Sequence, residues 1–168
     1  MAVEPQMPVN TVEVAYRGQK VNLDNYPSKD KLPNARDLQD RYKIPTRNID
    51  YEPEEIDFTD LLALNTEISK LRVRVHQVRN DYKKAKRIST HLKWVYESSK
   101  KRDFIQLSSG TEKIRDAVAE IMNEDKYTEF IVADTLATEL KDMSSALRTE
   151  LDALKELSNN LRRQIDLK

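Results

Sequence analysis

The stretch LLALNTEISKLRVRVHQVRNDYKKA, residues 61–85, decides the fold. Residues that suit a helix–helix contact recur in it at alternating intervals of three and four positions: Leu61, Leu64, Ile68, Leu71, Val75, Val78, Tyr82 and Ala85. This is the heptad spacing of a coiled-coil seam. Leu92 and Tyr96 continue the register, and Ser89 is its weak position. We therefore predict one long helix over about residues 57–105, capped by Asp57.

Two further helices are expected after a short interruption. The segment SSGTEKIRDAVAEIM, residues 108–122, carries Ser109 and Glu112 at the spacing of a capping box. It predicts a helix over 109–123 with one apolar stripe: Ile114, Ala117, Val118, Ile121 and Met122. A third helix is expected over 126–166, with this seam: Leu136, Leu140, Met143, Leu147, Leu151, Leu154, Leu161 and Ile165.

The prolines divide the chain. All six lie in the first 53 residues, and proline interrupts helices because it lacks a backbone donor. We therefore expect an extended arm over 1–53 and an all-α coiled-coil body over 54–168. Within the arm, alternating apolar residues around Arg17-Gly18 predict a β-hairpin, and the segment NARDLQDRYK, residues 34–43, predicts a short helix. An isolated hairpin is marginal in water, so it should lie on a surface.

Helix length favours an oligomer. A helix of about 48 residues is roughly 72 Å long, whereas a compact domain of this size is only about 40 Å across. The first long helix must therefore pair with the third as an antiparallel hairpin, with partner chains, or both. We predict a homo-oligomer, with seam residues on both long helices: Leu64, Ile68, Leu71, Val75, Val78, Leu92, Leu140, Leu147, Leu154 and Leu161.

The sequence gives little support for enzyme chemistry. It contains no Cys, which excludes disulfides, thiol nucleophiles and Cys-based zinc sites. The two histidines, His76 and His91, are fifteen residues apart and are interpreted as surface residues. No glycine-rich phosphate loop is present. We therefore expect no catalytic residue, no metal and no cofactor. No apolar run is long enough to span a membrane, and no secretory signal is recognised, so a cytoplasmic protein is expected.

The formal net charge of zero conceals a strong partition. Residues 70–102 carry twelve Lys or Arg against two acids, a balance of +10, while the segments on either side each carry −5. Arg72, Arg79, Lys86, Lys93 and Lys100 recur every seven residues and so share one flank of the helix. The residues predicted to bind nucleic acid are this flank and its neighbours: Arg72, Arg79, Lys83, Lys86, Arg87, Lys93, Trp94, Lys100 and Lys101.

Three interpretations of the basic helix remain open. Cations with an aromatic ring among them are typical of surfaces that bind single-stranded DNA or RNA. The same cations also suit pairing within a structural or scaffolding coiled coil, where the third helix offers acidic partners: Glu139, Asp142, Glu150, Asp152 and Glu156. An acidic protein partner is the third interpretation. An anionic membrane surface is disfavoured because the seam is narrow.

The segment NDYKKAKRISTHLKWVYESSKKR, residues 80–102, is followed by a helix interruption, by TEKIRDAVAEI, residues 111–121, and by a leucine-rich terminal helix. Over about residues 57–167 this layout resembles small helical proteins of tailed phages, among them recombination mediators of the UvsY type. The resemblance implies rings of helical protomers in the host cytoplasm that bind single-stranded DNA through basic helices. It also implies partners, a recombinase and a single-strand-binding protein, and assigns no role to an individual residue.

Overall fold

A computed structural model describes residues 11–23, 26, 35–43 and 59–167. Within these residues the chain forms two strands and four helices: β1 Thr11–Tyr16, β2 Gln19–Asn22, α1 Ala35–Tyr42, α2 Leu61–Gln106, α3 Glu112–Met122 and α4 Glu124–Asp166. The long helices α2 and α4 pack against each other as a hairpin. The predicted all-α fold, with a helical hairpin and a short intervening helix, is therefore confirmed.

The described residues divide into two compact units. The first unit contains the described residues up to Leu38 together with Ser89–Ala133. The second unit contains the described residues of Gln39–Ile88 and those from Asp134 onward. Each unit combines described residues of the first 53 positions with residues of the long helices. The predicted boundary between residues 53 and 54 lies outside the described residues.

Asp60 caps helix α2. Its side-chain carboxylate accepts hydrogen bonds from the backbone N–H groups of Leu62 at 2.8 Å and Ala63 at 3.3 Å, which have no carbonyl partner in a first helical turn. The predicted cap, Asp57, lies outside the described residues, and the described cap comes three residues later. From there α2 continues without Gly or Pro to Gln106.

The core of the second unit is built from the heptad seam of α2 and the matching seam of α4. The buried residues of this core are Leu64, Ile68, Leu71, Val78, Ala85, Ala137, Leu140, Leu147, Leu151 and Leu154. Val75 and Met143 are half-buried and pack against it. Each buried leucine contributes roughly 1.5–3 kcal/mol by leaving water. These side chains pack within one chain, and their use between chains stays a prediction.

Polar residues also occupy seam positions. Ser89 is buried at the weak point of the α2 register. On α4, Ser158 is buried and its hydroxyl donates to the side-chain oxygen of Asn65 at 3.1 Å. Leu161 is half-buried. The assignment of Ile165 to this seam is wrong, because its side chain is 52% exposed close to the end of α4.

The predicted β-hairpin is confirmed, and its strands β1 and β2 belong to the core of the first unit. Arg17 and Gly18 both have positive φ, 51° and 81°, as the tight turns of two-residue hairpins require. The hairpin lies on helical residues, as expected, and this core consists of Val14, Val21, Leu107, Val118 and Ala119. The backbone N–H of Ser108 donates to the carbonyl of Ala15 at 2.9 Å. The strands are thereby attached to the segment between α2 and α3.

Helix α3 begins at Glu112, three residues after its predicted start at residue 109. Its N-cap is Thr111, whose hydroxyl accepts from the backbone N–H of Ile114 at 3.4 Å. The predicted capping box of Ser109 and Glu112 is therefore wrong. Ser109 instead accepts a hydrogen bond from the backbone N–H of Ala15 at 2.8 Å, because the hairpin lies against this segment.

The predicted apolar stripe of α3 is only partly buried. Val118 and Ala119 are buried, whereas Ile114, Ala117 and Ile121 are exposed and Met122 is half-buried. The face in contact with the hairpin is thus rotated from the stripe that hydropathy selects. The reason is tertiary: Val118 and Ala119 pack in one core with Val14 and Val21 of the β-hairpin.

A buried polar network holds the turn from α2 to α4. The Asp103 carboxylate accepts from the Asn123 amide at 2.8 Å and from the Tyr16 hydroxyl at 3.3 Å. The Lys126 ammonium donates to the Asn123 side-chain oxygen at 2.9 Å. Asp103 and Asn123 are both buried, and an unpaired buried polar group costs roughly 1–3 kcal/mol. The network therefore stabilises one arrangement of the β-hairpin, the end of α2 and the start of α4.

Removing the charge of Glu150 should stabilise the fold in a pH-dependent way. Burial raises the pKa of its carboxyl and the nearby Glu67 charge raises it further, while Arg74 opposes both effects. A carboxyl whose folded-state pKa is raised destabilises the fold when ionised, and stability falls as pH rises from its unfolded pKa through its folded pKa. Glu150→Gln should therefore increase the melting temperature at pH 7. The gain should be under about 1 kcal/mol, since the group is partly solvated.

Thermal unfolding at pH 7 and at pH 4 measures this effect. At pH 4, near the unfolded pKa of a glutamate, the difference between Glu150→Gln and the parent chain should be much smaller. Glu156→Gln, at an exposed position of the same helix, is the control and should change little at either pH. An equal gain at both pH values would exclude ionisation of Glu150 as its cause.

Candidate nucleic-acid interface

The cations of the second unit lie exposed beside the α2 seam. Arg72, Arg79, Lys83, Lys86 and Arg87 are all exposed, because seam residues next to them turn inward and leave the flank in water. Lys86 forms an ion pair with Asp134 of α4 at 2.9 Å. The other four form no ion pair with any residue that the structure describes.

Three of these cations form a row of like charges. Arg79, Lys83 and Arg87 are separated by four residues each, so they lie on consecutive turns of α2. Like charges at this spacing destabilise a helix by a few tenths of a kcal/mol per pair. The row therefore does not stabilise the helix that carries it. It produces a positive surface on which an anion would be stabilised.

Trp94 lies exposed in the first unit. Its side chain is 63% exposed, and its ring stacks on that of His91 with centroids 6.2 Å apart and planes inclined by 24°. Lys93 is close to Glu97 on its own helix at 3.8 Å, and Lys101 is exposed without an ion pair to any described residue. A large aromatic ring is thus presented to solvent, and both histidines are exposed as predicted.

Lys100 occupies a different environment from the other cations. Its ammonium group lies 2.6 Å from Glu120 and 3.1 Å from Asp116, both on α3, and its side chain is only 22% exposed. The hydrogen bond to Glu120 raises the pKa of Lys100, burial opposes this, and Asp116 raises the pKa further. Lys100 therefore joins α2 to α3. The heptad pattern of α2 alone contains no sign of this contact.

The acidic residues of α4 follow the predicted pairing only in part: Glu150 is close enough to Arg74 of α2 for that charge to oppose the burial that raises the pKa of Glu150, while other contacts differ. The partner of Lys86 is Asp134, which sequence analysis did not select. Asp152 instead forms an ion pair with Lys155 of its own helix at 2.8 Å. A hydrogen bond from Lys155 lowers the pKa of Asp152, which keeps this carboxylate ionised. Cross-helix pairing thus neutralises part of the basic flank and leaves the row on α2 uncovered.

Sequence analysis missed a polar cleft in the second unit. The cleft has a volume of about 360 Å³, and three cations line it: Arg72, Lys155 and Arg162. Asn65 and Ser158 also line it, and none of its described lining residues is acidic. Arg162 donates to the side-chain oxygen of Asn65 at 3.4 Å. The one signal for this site is the recurrence of Lys155 and Arg162 seven residues apart.

Other kinds of site find no support among the described residues. No group of three or more His, Asp or Glu side chains in the described ranges is arranged to hold a metal ion. None of the described helices is both long enough and apolar enough to cross a membrane. The chain matches no protein-family model, no curated protein and no solved structure. A function must therefore be inferred from the side chains themselves.

Proposed function

We propose that this chain binds single-stranded nucleic acid through helix α2. The observation that carries the proposal is the exposed Trp94 ring on the helix that also carries the row of Arg79, Lys83 and Arg87, which form no ion pair with any described residue. Cations neutralise backbone phosphates and release counterions. An exposed ring stacks on an unpaired base, whatever that base is. In duplex DNA the faces of the bases are already stacked, so the ring favours a single strand.

Pairing within the protein is the alternative supported by specific contacts. Lys86 binds Asp134, and Lys100 binds Asp116 and Glu120. These contacts account for two cations of the basic helix as structural residues. They do not account for the row of Arg79, Lys83 and Arg87, or for the exposure of Trp94. Pairing within one chain alone leaves the row without an ion-pair partner among the described residues, and it leaves the Trp94 ring exposed.

The finer proposal is a homo-oligomeric recombination mediator, and its support is the resemblance of residues 57–167 to phage proteins of that kind. Such a protein would load a recombinase onto strands covered by a single-strand-binding protein. It would do so only if it binds the strand itself. Strand binding is therefore the property to test first, with light scattering to count the chains in the assembly.

Trp94→Ala should weaken strand binding by roughly 1–3 kcal/mol, about 5- to 150-fold, because the stacked base loses its platform. The dependence on salt should stay the same, since no cation is removed. Fluorescence anisotropy of a labelled oligo-dT measures both quantities. Trp94→Phe is the matched control and should retain most of the affinity. Equal affinity for Trp94→Ala and the parent chain would exclude stacking at this position.

A further inference from the structure

The cleft between α2 and α4 in the second unit has the composition of an anion site. Arg72 comes from one helix, and Lys155 and Arg162 come from the other. Their separation in sequence means that only the folded hairpin brings them together. None of the described residues that line the cleft carries a negative charge. One cation of the cleft, Lys155, forms an ion pair with Asp152 of its own helix at 2.8 Å.

The polar side chains in the cleft hold its cations in place. Asn65 accepts through its side-chain oxygen from both Ser158 at 3.1 Å and Arg162 at 3.4 Å. Ser158 is buried, so this arrangement has a rigid base. A neutral oxygen orients the Arg162 guanidinium without cancelling its charge. The remaining donors of Arg162 stay free to bind an oxyanion, and guanidinium groups suit phosphate because two parallel N–H bonds match two oxygens.

We propose that Arg72, Lys155 and Arg162 form a phosphate-binding cleft that holds one backbone phosphate of a bound strand. That the ligand is a nucleic-acid strand rests on the proposed function, whereas the preference for phosphate follows from the residues of the cleft alone. This assigns a binding role to α4, the helix that sequence analysis treated as the acidic partner of α2. Arg72 then contacts phosphate inside the cleft rather than from an open helix surface.

The composition of the cleft favours phosphate over other occupants. An apolar peptide would have to remove the Arg72 and Arg162 guanidinium groups from water without supplying a counter-charge, which is very costly. A carboxylate-bearing protein segment shares the charge but presents two oxygens in one plane, whereas a phosphate presents oxygens in a tetrahedral arrangement. Three cations from two helices can approach a tetrahedral group from different sides. Inorganic phosphate and an oligonucleotide are therefore the informative probes.

The full chain should be titrated with inorganic phosphate while the side-chain NMR signals of arginine and asparagine are followed. Shifts are expected for Arg72, Arg162 and Asn65, and not for Arg163.

Binding of the strand is then measured by fluorescence anisotropy with labelled oligo-dT. Arg162→Gln should weaken strand binding at all sequences and reduce the log–log salt slope by about 0.7, the contribution of one single-strand phosphate. Thermal melts check that the variant is folded.

Arg163→Gln is the matched control, since Arg163 is an exposed arginine on the same helix that does not line the cleft. Cleft shifts with phosphate and a selective loss in Arg162→Gln support the inference. If the chain binds the strand, but the two variants have equal effects and phosphate causes no shifts, the phosphate-binding role of the cleft is overturned. The proposed function would still stand. Phosphate shifts without strand binding at low salt would support the cleft as a site for free phosphate and overturn the proposed function. If neither phosphate shifts nor strand binding is observed, the phosphate-binding cleft and the proposed function are both overturned.

Discussion

Leu147→Asp should abolish the helical hairpin of the second unit. Leu147 is 5% exposed and packs in the core shared by α2 and α4. The substitution removes about 1.5–3 kcal/mol of apolar burial and places an unpaired carboxylate where water is excluded, which costs several kcal/mol more. Domains are stable by only about 5–15 kcal/mol in total. We therefore expect a large loss of helical circular dichroism at room temperature.

Leu157→Asp is the control for this experiment. It makes the same chemical change on the same helix, but the Leu157 side chain is 44% exposed. It should retain the helical signal and melt within a few degrees of the parent chain. Leu71→Asp, on the facing seam, should reproduce the loss. If Leu147→Asp melts like Leu157→Asp, the seam does not carry the stability assigned to it.

Replacing Arg79, Lys83 and Arg87 together with Glu should abolish strand binding and leave the fold intact. The three residues are exposed and form no ion pair with described residues, so their replacement breaks no described contact. Each cation that contacts phosphate contributes about −0.7 to the log–log salt slope on a single strand. Reversal removes three attractive contacts and adds three repulsive ones, so no binding should be measurable at moderate salt.

A matched triple variant separates local contacts from net charge. Lys113, Lys141 and Arg148 are exposed cations on α3 and α4, and their replacement with Glu changes the net charge by the same amount. This control should bind the strand nearly as well as the parent chain at salt concentrations that screen distant charges. Equal loss in both triple variants would mean that binding follows net charge, with no localised surface on α2.

The helical hairpin could be predicted because its signal is periodic and local. Alternating intervals of three and four residues place side chains on one helix face whatever lies opposite, so Leu64, Leu71 and Leu147 were identified without knowledge of the partner. Ser89 followed the same register and is buried, although its side chain is polar. The register therefore predicts burial better here than the hydropathy of the single residue does.

The features that sequence analysis missed depend on contacts between distant segments. Ser109 binds Ala15 of the hairpin, so it does not cap α3. Lys100 matches the heptad spacing of the flank but binds α3. Arg162 reaches Asn65 from nearly the other end of the described body. In each case the local pattern gives the position of the side chain on its element, and the fold determines its partner.

Strand binding by helix α2 can be measured by titrating the unmodified chain with oligo-dT at about 50 mM and about 200 mM salt. Trp94 is the only tryptophan in the sequence, so any change in tryptophan emission reports its surroundings alone. We expect quenching on binding and a log–log salt slope of about −3, since four cations of the second unit form no ion pair with described residues: Arg72, Arg79, Lys83 and Arg87. Unchanged emission and no binding at low salt, from a folded chain, would contradict strand binding by helix α2.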